Sequence, residues 1–321
     1  MIKKTAALLL IITTGITNSC GFRQSAPADK TEKYYAEQTQ HIEPPASLAA
    51  QPPTRAELVM NALKEAYPDS IEKIEFRGDD WALLLNDTWY YYTEGKLLPE
   101  NQIENADNFR SYQFYNYPAE LPAWRERTAE ETERFKNWTT RRNQNQFRRS
   151  VFFHDDLWQA STRAQTEKNI IVTNFLGKQT KIHKLIQDKL SNIETQIREA
   201  AKNDPQLQTW INNLAPVEGY GWRNIADTQS RSFHSYGIAV DLLPKNLGKQ
   251  QTYWLWTSQY RDDWWNVSYN ERYHPPAAVI NAFEANGFIW GGKWPLFDTM
   301  HFEYRPEILI LSGMMTQESR N

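Results

Sequence analysis

The 321-residue chain contains a single cysteine, Cys20, so no intramolecular disulfide can form. Its longest early apolar run, Ala6 to Ile12, falls well short of the roughly 20 residues that a membrane-spanning helix needs. Charge of one sign is also missing: 36 basic residues face 39 acidic ones, for a net charge of −3, and no long basic run occurs. Phosphate binding needs clustered Lys and Arg, so nucleic acid is excluded as the main partner. The patterns H-E-x-x-H and G-x-S-x-G and the P-loop are absent, as is any internal repeat. Aromatics, by contrast, are plentiful, with 13 Trp and 16 Tyr. Most are expected to pack in a core, and some to line a groove.

The N-terminus reads as an export signal. Lys3 and Lys4 precede the apolar run, and small residues lead to Ser19-Cys20. A lone cysteine at that place resembles a bacterial lipobox, with Thr17 departing from the usual Leu and Ile16 one place earlier. The expectation is a signal peptide over 1–19 and a membrane anchor through lipidated Cys20, facing the periplasm or the cell exterior. Residues 20–55, rich in Pro, Ala, Gln and charge, read as a flexible tether.

Two parts are expected beyond the tether. Residues 56–165 form an N-terminal α+β extension of unknown role. It opens on the helical stretch "RAELVMNALKEAY" and continues with the strand-like runs "KIEFRG" and "DWALLLNDTWYYYTEGK". Asn86-Asp87 predicts a hairpin turn between apolar runs. Residues 166–315 read as a compact α+β domain with a small antiparallel sheet and flanking helices. In it Ile182, Leu185, Ile186, Leu190, Ile193 and Ile197 share one helical face, with Pro205 beyond its end. A second helix is predicted from Pro276 to Asn286, stopped by Gly287.

Candidate chemistry concentrates in this second part. In "SRSFHSYGIAVDLLPK", His234 and Asp241 stand seven positions apart. Alternation of Ile238, Val240 and Leu242 predicts a strand that buries those three and turns Asp241 to the other face. His234 falls in the preceding loop, and Gly237 and Ala239 are read as keeping the chain slim where substrate and metal approach. Further on, "FDTMHFEY" places Asp298 three residues before His301. A catalytic zinc takes three protein ligands and leaves a fourth position open. His234, Asp241 and His301 supply such a set. The reaction also needs a carboxylate to take a proton from the attacking water and pass one to the leaving amine. Asp298 suits that role; Glu303 can orient His301 from behind or compete as the base.

Ser232, His234, Gly237, Ala239 and Asp241 complete the pattern S-x-H-x-x-G-x-A-x-D. Gly287 to Trp294 form G-F-x-W-G-G-x-W, and Asp298 to Phe302 form D-x-x-H-F. Together they resemble the zinc D-alanyl-D-alanine carboxypeptidases of the VanY type and the related phage L-alanyl-D-glutamate endopeptidases. The resemblance runs from Gly219 to Pro306. It implies Zn2+ held by His234, Asp241 and His301, with Asp298 as the base. Some relatives have Glu at that position. Arg223, in "GYGWRN", would bind a substrate carboxylate or steady the oxyanion, and Ser232 would contact the substrate backbone. The implied substrate is a peptidoglycan stem peptide, cut by removal of a terminal D-alanine or, alternatively, between L-alanine and D-glutamate.

Other readings are weighed beside it. A non-catalytic, zinc-containing cell-wall binding lipoprotein is a further alternative, since fold alone does not imply activity. Ser70 with Lys73 and Ser268 with Asn270 match fragments of serine penicillin-binding enzymes, but the K-T-G element is missing. His154-Asp155-Asp156, His183 and His274 are read as structural, and His41 as part of the tether. Nothing in the sequence sets the oligomeric state.

Overall fold

The computed structural model describes residues 52–110, 114–142 and 148–315. The signal peptide, Cys20, most of the tether and His41 lie outside these residues. Helix α1 (Arg55–Ala66) starts at Thr54, whose hydroxyl accepts from the Glu57 amide at 3.2 Å. Four strands follow as an antiparallel meander: β1 (Ile71–Arg77), β2 (Asp80–Leu85), β3 (Thr88–Thr93) and β4 (Lys96–Pro99). Asn86 and Asp87 take φ values of 48° and 60° between β2 and β3. Two left-handed residues match the twist of the paired strands, which forms the expected hairpin. Val59, Met60 and Leu63 of α1 share a core with Ile71, Leu83 and Leu85 of the sheet.

Next come a short parallel pair, β5 (Phe109–Arg110) with β6 (Arg148–Arg149), and helix α2 (Ala129–Arg142). The hairpin β7 (Ile170–Phe175) and β8 (Lys178–His183) leads into α3 (Gln187–Ala201). The single helical face expected from Ile182 to Ile197 is therefore split. Ile182 is buried in β8, and Leu185 is 61% exposed in the turn that follows. Of the expected set, Leu190, Ile193 and Ile197 lie on the buried face of α3, together with Ala201. Spacing alone could not separate a strand end from a helix start here, because Ile182 satisfies both periods. Helix α4 (Pro205–Asn212) follows, capped by the Asp204 carboxylate, which accepts from the Gln206 and Leu207 amides at 2.9 and 3.0 Å.

A three-stranded antiparallel sheet carries the chemistry-bearing residues. Its order is β10 (Phe288–Trp290), β11 (His301–Tyr304), β9 (Ala239–Asp241). Helix α5 (Ala277–Ala285) covers it, and Phe283 stacks on Phe302 at 4.1 Å. The predicted helix is off by one residue at each end, with Gly287 at φ 90° just past it. Helix α6 (Pro306–Leu311) closes the fold. The expected two-faced strand around Asp241 differs in one respect. Residues 238–242 are all buried, because helix and hairpin cover one side and the site closes over the other. The architecture is α+β.

From Pro52 onward the chain clusters as one compact unit. Tyr67, just past α1, donates to Glu307 of α6 at 2.9 Å. Tyr117 donates its amide to Ser312 Oγ at 2.6 Å and accepts from the Trp290 amide at 2.9 Å. Arg231 pairs with Asp155 at 2.6 Å. Among the described residues, no helix is long and apolar enough to cross a membrane.

Candidate metal centre

Three side chains meet at the edge of the β9–β11 pair. His234 sits on a single turn of 3-10 helix (Phe233–Tyr236), and Ser232 Oγ caps that turn by accepting from the His234 amide at 3.3 Å. Gly237 ends the turn at φ 72° and hands the chain to β9. His301 and Asp241 face each other directly in the register of β11 and β9. His234 Nε2 lies 3.2 Å from Asp241 Oδ1 and 3.1 Å from His301 Nδ1, and His301 Nδ1 lies 2.9 Å from the same oxygen. All three residues are buried.

The outer nitrogens decide what those atoms are. His234 Nδ1 donates to the Gly219 carbonyl at 2.6 Å, and His301 Nε2 donates to Glu303 Oε2 at 3.1 Å. In the neutral rings, the inner nitrogens are then lone pairs. Two lone pairs and a carboxylate oxygen converge on one another and need a cation between them. Zinc fits: nitrogen ligands at about 2.0–2.1 Å in a tetrahedron stand about 3.3 Å apart. Burial opposes charge on His301, but its bonds to Asp241 and Glu303 outweigh this and push its pKa up to about 10. Burial likewise opposes charge on Asp241, yet the two histidines hold its pKa below the ordinary carboxylate value. Among the described residues this is the one cluster of three or more metal-capable side chains.

Asp298 and Glu303 stand in different conditions. Glu303 is committed, with Oε2 on His301 and Oε1 3.4 Å from Arg305 Nη1. Asp298 is held by its backbone, its amide donating to the Gly291 carbonyl at 3.0 Å. Its Oδ1 is buried with no hydrogen-bond partner among the described residues. Burial, with smaller pushes from Asp241 and Glu303, raises the Asp298 pKa to about 7 against the pull of His301. A carboxylate in that state can accept and return a proton near neutral pH.

The pocket around these groups has a volume of about 560 Å³. Arg223 and Ser232 both line it, as the sequence reading expected. Ser232 is also the cap that positions His234, a role the sequence reading did not give it. Tyr115 and Arg149 line it too, from the stretch to which the sequence reading assigned no function. Tyr115 accepts from Trp294 Nε1 at 2.6 Å, and the Trp294 ring lies 5.5 Å from that of His301. No spacing signal marks Tyr115 or Arg149, because β6 and its neighbours bring them in from over 60 residues away.

Gly237 has a different reason than the one read from the sequence. A Cβ there would meet Ile170 Cδ1 at 2.5 Å and the His183 amide nitrogen at 2.8 Å. The space is needed by the β7–β8 hairpin, whose His183 amide donates to the Gly237 carbonyl at 2.8 Å. The remaining candidates are structural. Asp155 is bound to Arg231 and Tyr236, and Asp156 accepts from Tyr90. His183 bonds the Trp158 carbonyl at 3.1 Å, and His274 packs against Trp290. Lys73 pairs with Glu75 at the surface, while Ser268 is used in a capping box with Glu271.

Residues 226–304 match a family model described as D-alanyl-D-alanine carboxypeptidase. The matched segment contains Ser232, His234, Asp241, Asp298, His301 and Glu303, and begins just after Arg223. It covers well under half of the chain, and it supports a hydrolytic peptidase. Residues 59–114 match a domain of unknown function. No curated protein and no solved structure matches the chain.

Proposed function

We propose that this chain is a zinc-dependent peptidase of peptidoglycan stem peptides, of the VanY-type D-alanyl-D-alanine carboxypeptidase kind. The observation that carries the proposal is the meeting of two imidazole lone pairs and the Asp241 carboxylate at 2.9–3.2 Å, with a buried, unbonded Asp298 oxygen in the same pocket. His234, Asp241 and His301 would hold the metal. When bound, zinc supplies Lewis acidity, which makes a carbonyl more electrophilic and an attacking water more acidic.

The chain's own groups do the rest in this reading. Asp298 takes the proton from the attacking water and returns it to the leaving amine. Glu303 fixes the orientation of His301 by accepting from its outer nitrogen. Arg223 steadies a substrate carboxylate or the developing oxyanion, and Ser232 meets the substrate backbone. Arg223, which lines the pocket, brings a guanidinium that can receive the free carboxylate of a chain end. That charge favours release of a C-terminal D-alanine over an internal cut between L-alanine and D-glutamate.

The proposal extends to location: export, with Cys20 lipidated and the tether holding the catalytic unit off the membrane. Fatty-acid labelling that persists in a Cys20→Ala variant would rule the anchor out. For the activity itself, purified muropeptide pentapeptides are incubated with the protein, with and without a chelator, and weighed by mass spectrometry. Chelator-sensitive loss of one terminal alanine is the expected result. Release of the stem at L-alanine–D-glutamate would make the protein an endopeptidase instead. No product, with stoichiometric zinc present, would leave a zinc-containing binding lipoprotein.

A further inference from the structure

Trp294 and Pro295 line the catalytic pocket, and they also line a second cavity of about 690 Å³. The far wall of this cavity is built by residues 122–127 and the first turns of α2, outside the segment matched to the peptidase family. Arg125, Arg127, Arg134, Arg272 and Lys293 line it against one acid, Glu131.

Two of these cations are neutralised within the protein. Arg125 forks onto Glu131 at 2.6 and 2.7 Å, and Lys293 pairs with Glu284 at 2.6 Å. Arg127 and Arg272 are held differently. The Arg127 guanidinium donates to the Trp265 carbonyl and stacks on Phe135 at 4.4 Å. Arg272, 6% exposed, donates to the Val267 carbonyl at 3.1 and 2.7 Å and stacks on Phe297 at 4.2 Å. Among the described residues, neither forms an ion pair with a carboxylate. Backbone carbonyls and aromatic faces fix their positions without cancelling their charge. Burial lowers the pKa of both, and Arg127 presses on Arg272, which is brought down to about 10. Arg134 stands exposed on α2 at the same rim. The fold thus holds positive charge, partly desolvated, one indole away from His301.

We propose that this cavity is a second substrate subsite, in which Arg127, Arg134 and Arg272 bind a carboxylate of the stem peptide remote from the scissile bond. The inference rests on the peptidase reading above. A guanidinium offers two parallel donors to a carboxylate, so a chain crossing Trp294 is held at two places. The reacting bond is then positioned by contacts that a short peptide cannot make, and the enzyme prefers muropeptides over minimal substrates.

The test compares three substrates. These are a disaccharide pentapeptide, the same molecule with every carboxylate except the terminal one amidated, and diacetyl-lysyl-D-alanyl-D-alanine. Arg134→Glu changes an exposed residue; Arg127→Gln tests the deeper guanidinium. Each is expected to lower kcat/KM about tenfold on the carboxylated muropeptide, through KM, and to leave the other two substrates unchanged. Equal loss on all three substrates, or no loss on any, overturns the proposal. If the wild-type protein cleaves none of them, the peptidase reading falls, and calorimetry decides the subsite alone. The carboxylated muropeptide should then bind the chelated protein more tightly than its amidated form, a preference lost in Arg127→Gln. Equal binding of the two forms by the wild type overturns the subsite as well.

Discussion

His301 stands directly across from Asp241 in the antiparallel β11–β9 pair, with Nδ1 2.9 Å from Oδ1. Two of the three metal-capable groups are thus set by strand register. A slip of one residue would send one of the two side chains to the opposite face of the sheet. The third, His234, comes from a turn stapled by Ser232 and the Gly219 carbonyl. The arrangement leads to several expected outcomes.

Asp298→Ala should lower turnover about 100- to 10,000-fold while zinc stays bound at one per chain. Muropeptide kinetics beside elemental analysis measures both. Full activity in that variant would pass the role of base to Glu303. His234→Ala, in contrast, should lose the metal, and retained stoichiometric zinc would remove His234 from the ligand set.

Arg305 lies between two buried acids, Glu303 at 6% exposure and Glu307 at 0%. Its hydrogen bonds join them, and Glu307 continues to Tyr67. Arg305→Ala leaves both carboxylates buried without that cation, so a loss of about 3–5 kcal/mol is expected in urea unfolding. Tyr67→Phe removes one bond at the far end and should cost about 1–2 kcal/mol. Loss of activity in Arg305→Ala without loss of stability would contradict this account.

His183 gives a pH signature in stability. Burial, helped by Lys184 and partly offset by the bond to the Trp158 carbonyl, lowers its pKa from about 6.5 to about 4. Between those values the unfolded chain binds a proton that the folded one refuses, so stability falls as pH drops through this window. The full cost is about 3 kcal/mol. Buried His154 is shifted in the same direction and adds to the slope. His183→Gln should be less stable than wild type at pH 7 yet lose less on going to pH 4.5, read by guanidinium unfolding. An unchanged acid slope would assign the effect elsewhere.

Gly237→Ala should destabilise the protein by about 1–3 kcal/mol through a left-handed backbone and a collision with the β7–β8 hairpin. Folded protein should still bind zinc. Unchanged melting together with a raised KM would restore the reading in which Gly237 makes room for substrate.

Much of this site could be read before the fold was known. The motif residues His234, Asp241, Asp298 and His301 carry their chemistry in residue type and spacing, and a short strand beside a turn must bring the first two near each other. The hairpin at Asn86-Asp87 and the stop at Gly287 follow from local backbone preference, which needs no tertiary context. Ile182 and Leu185 were misplaced because a strand end and a helix start share their apolar positions over so short a run. Which carboxylate remains available was beyond the sequence, since Asp298 and Glu303 differ only in what surrounds them: one oxygen with no partner, the other acid bound on both sides. Tyr115, Arg149 and the cluster around Arg127 and Arg272 were equally invisible. Their place beside the site depends on packing between segments far apart in the chain, and such contacts leave no period or spacing to read.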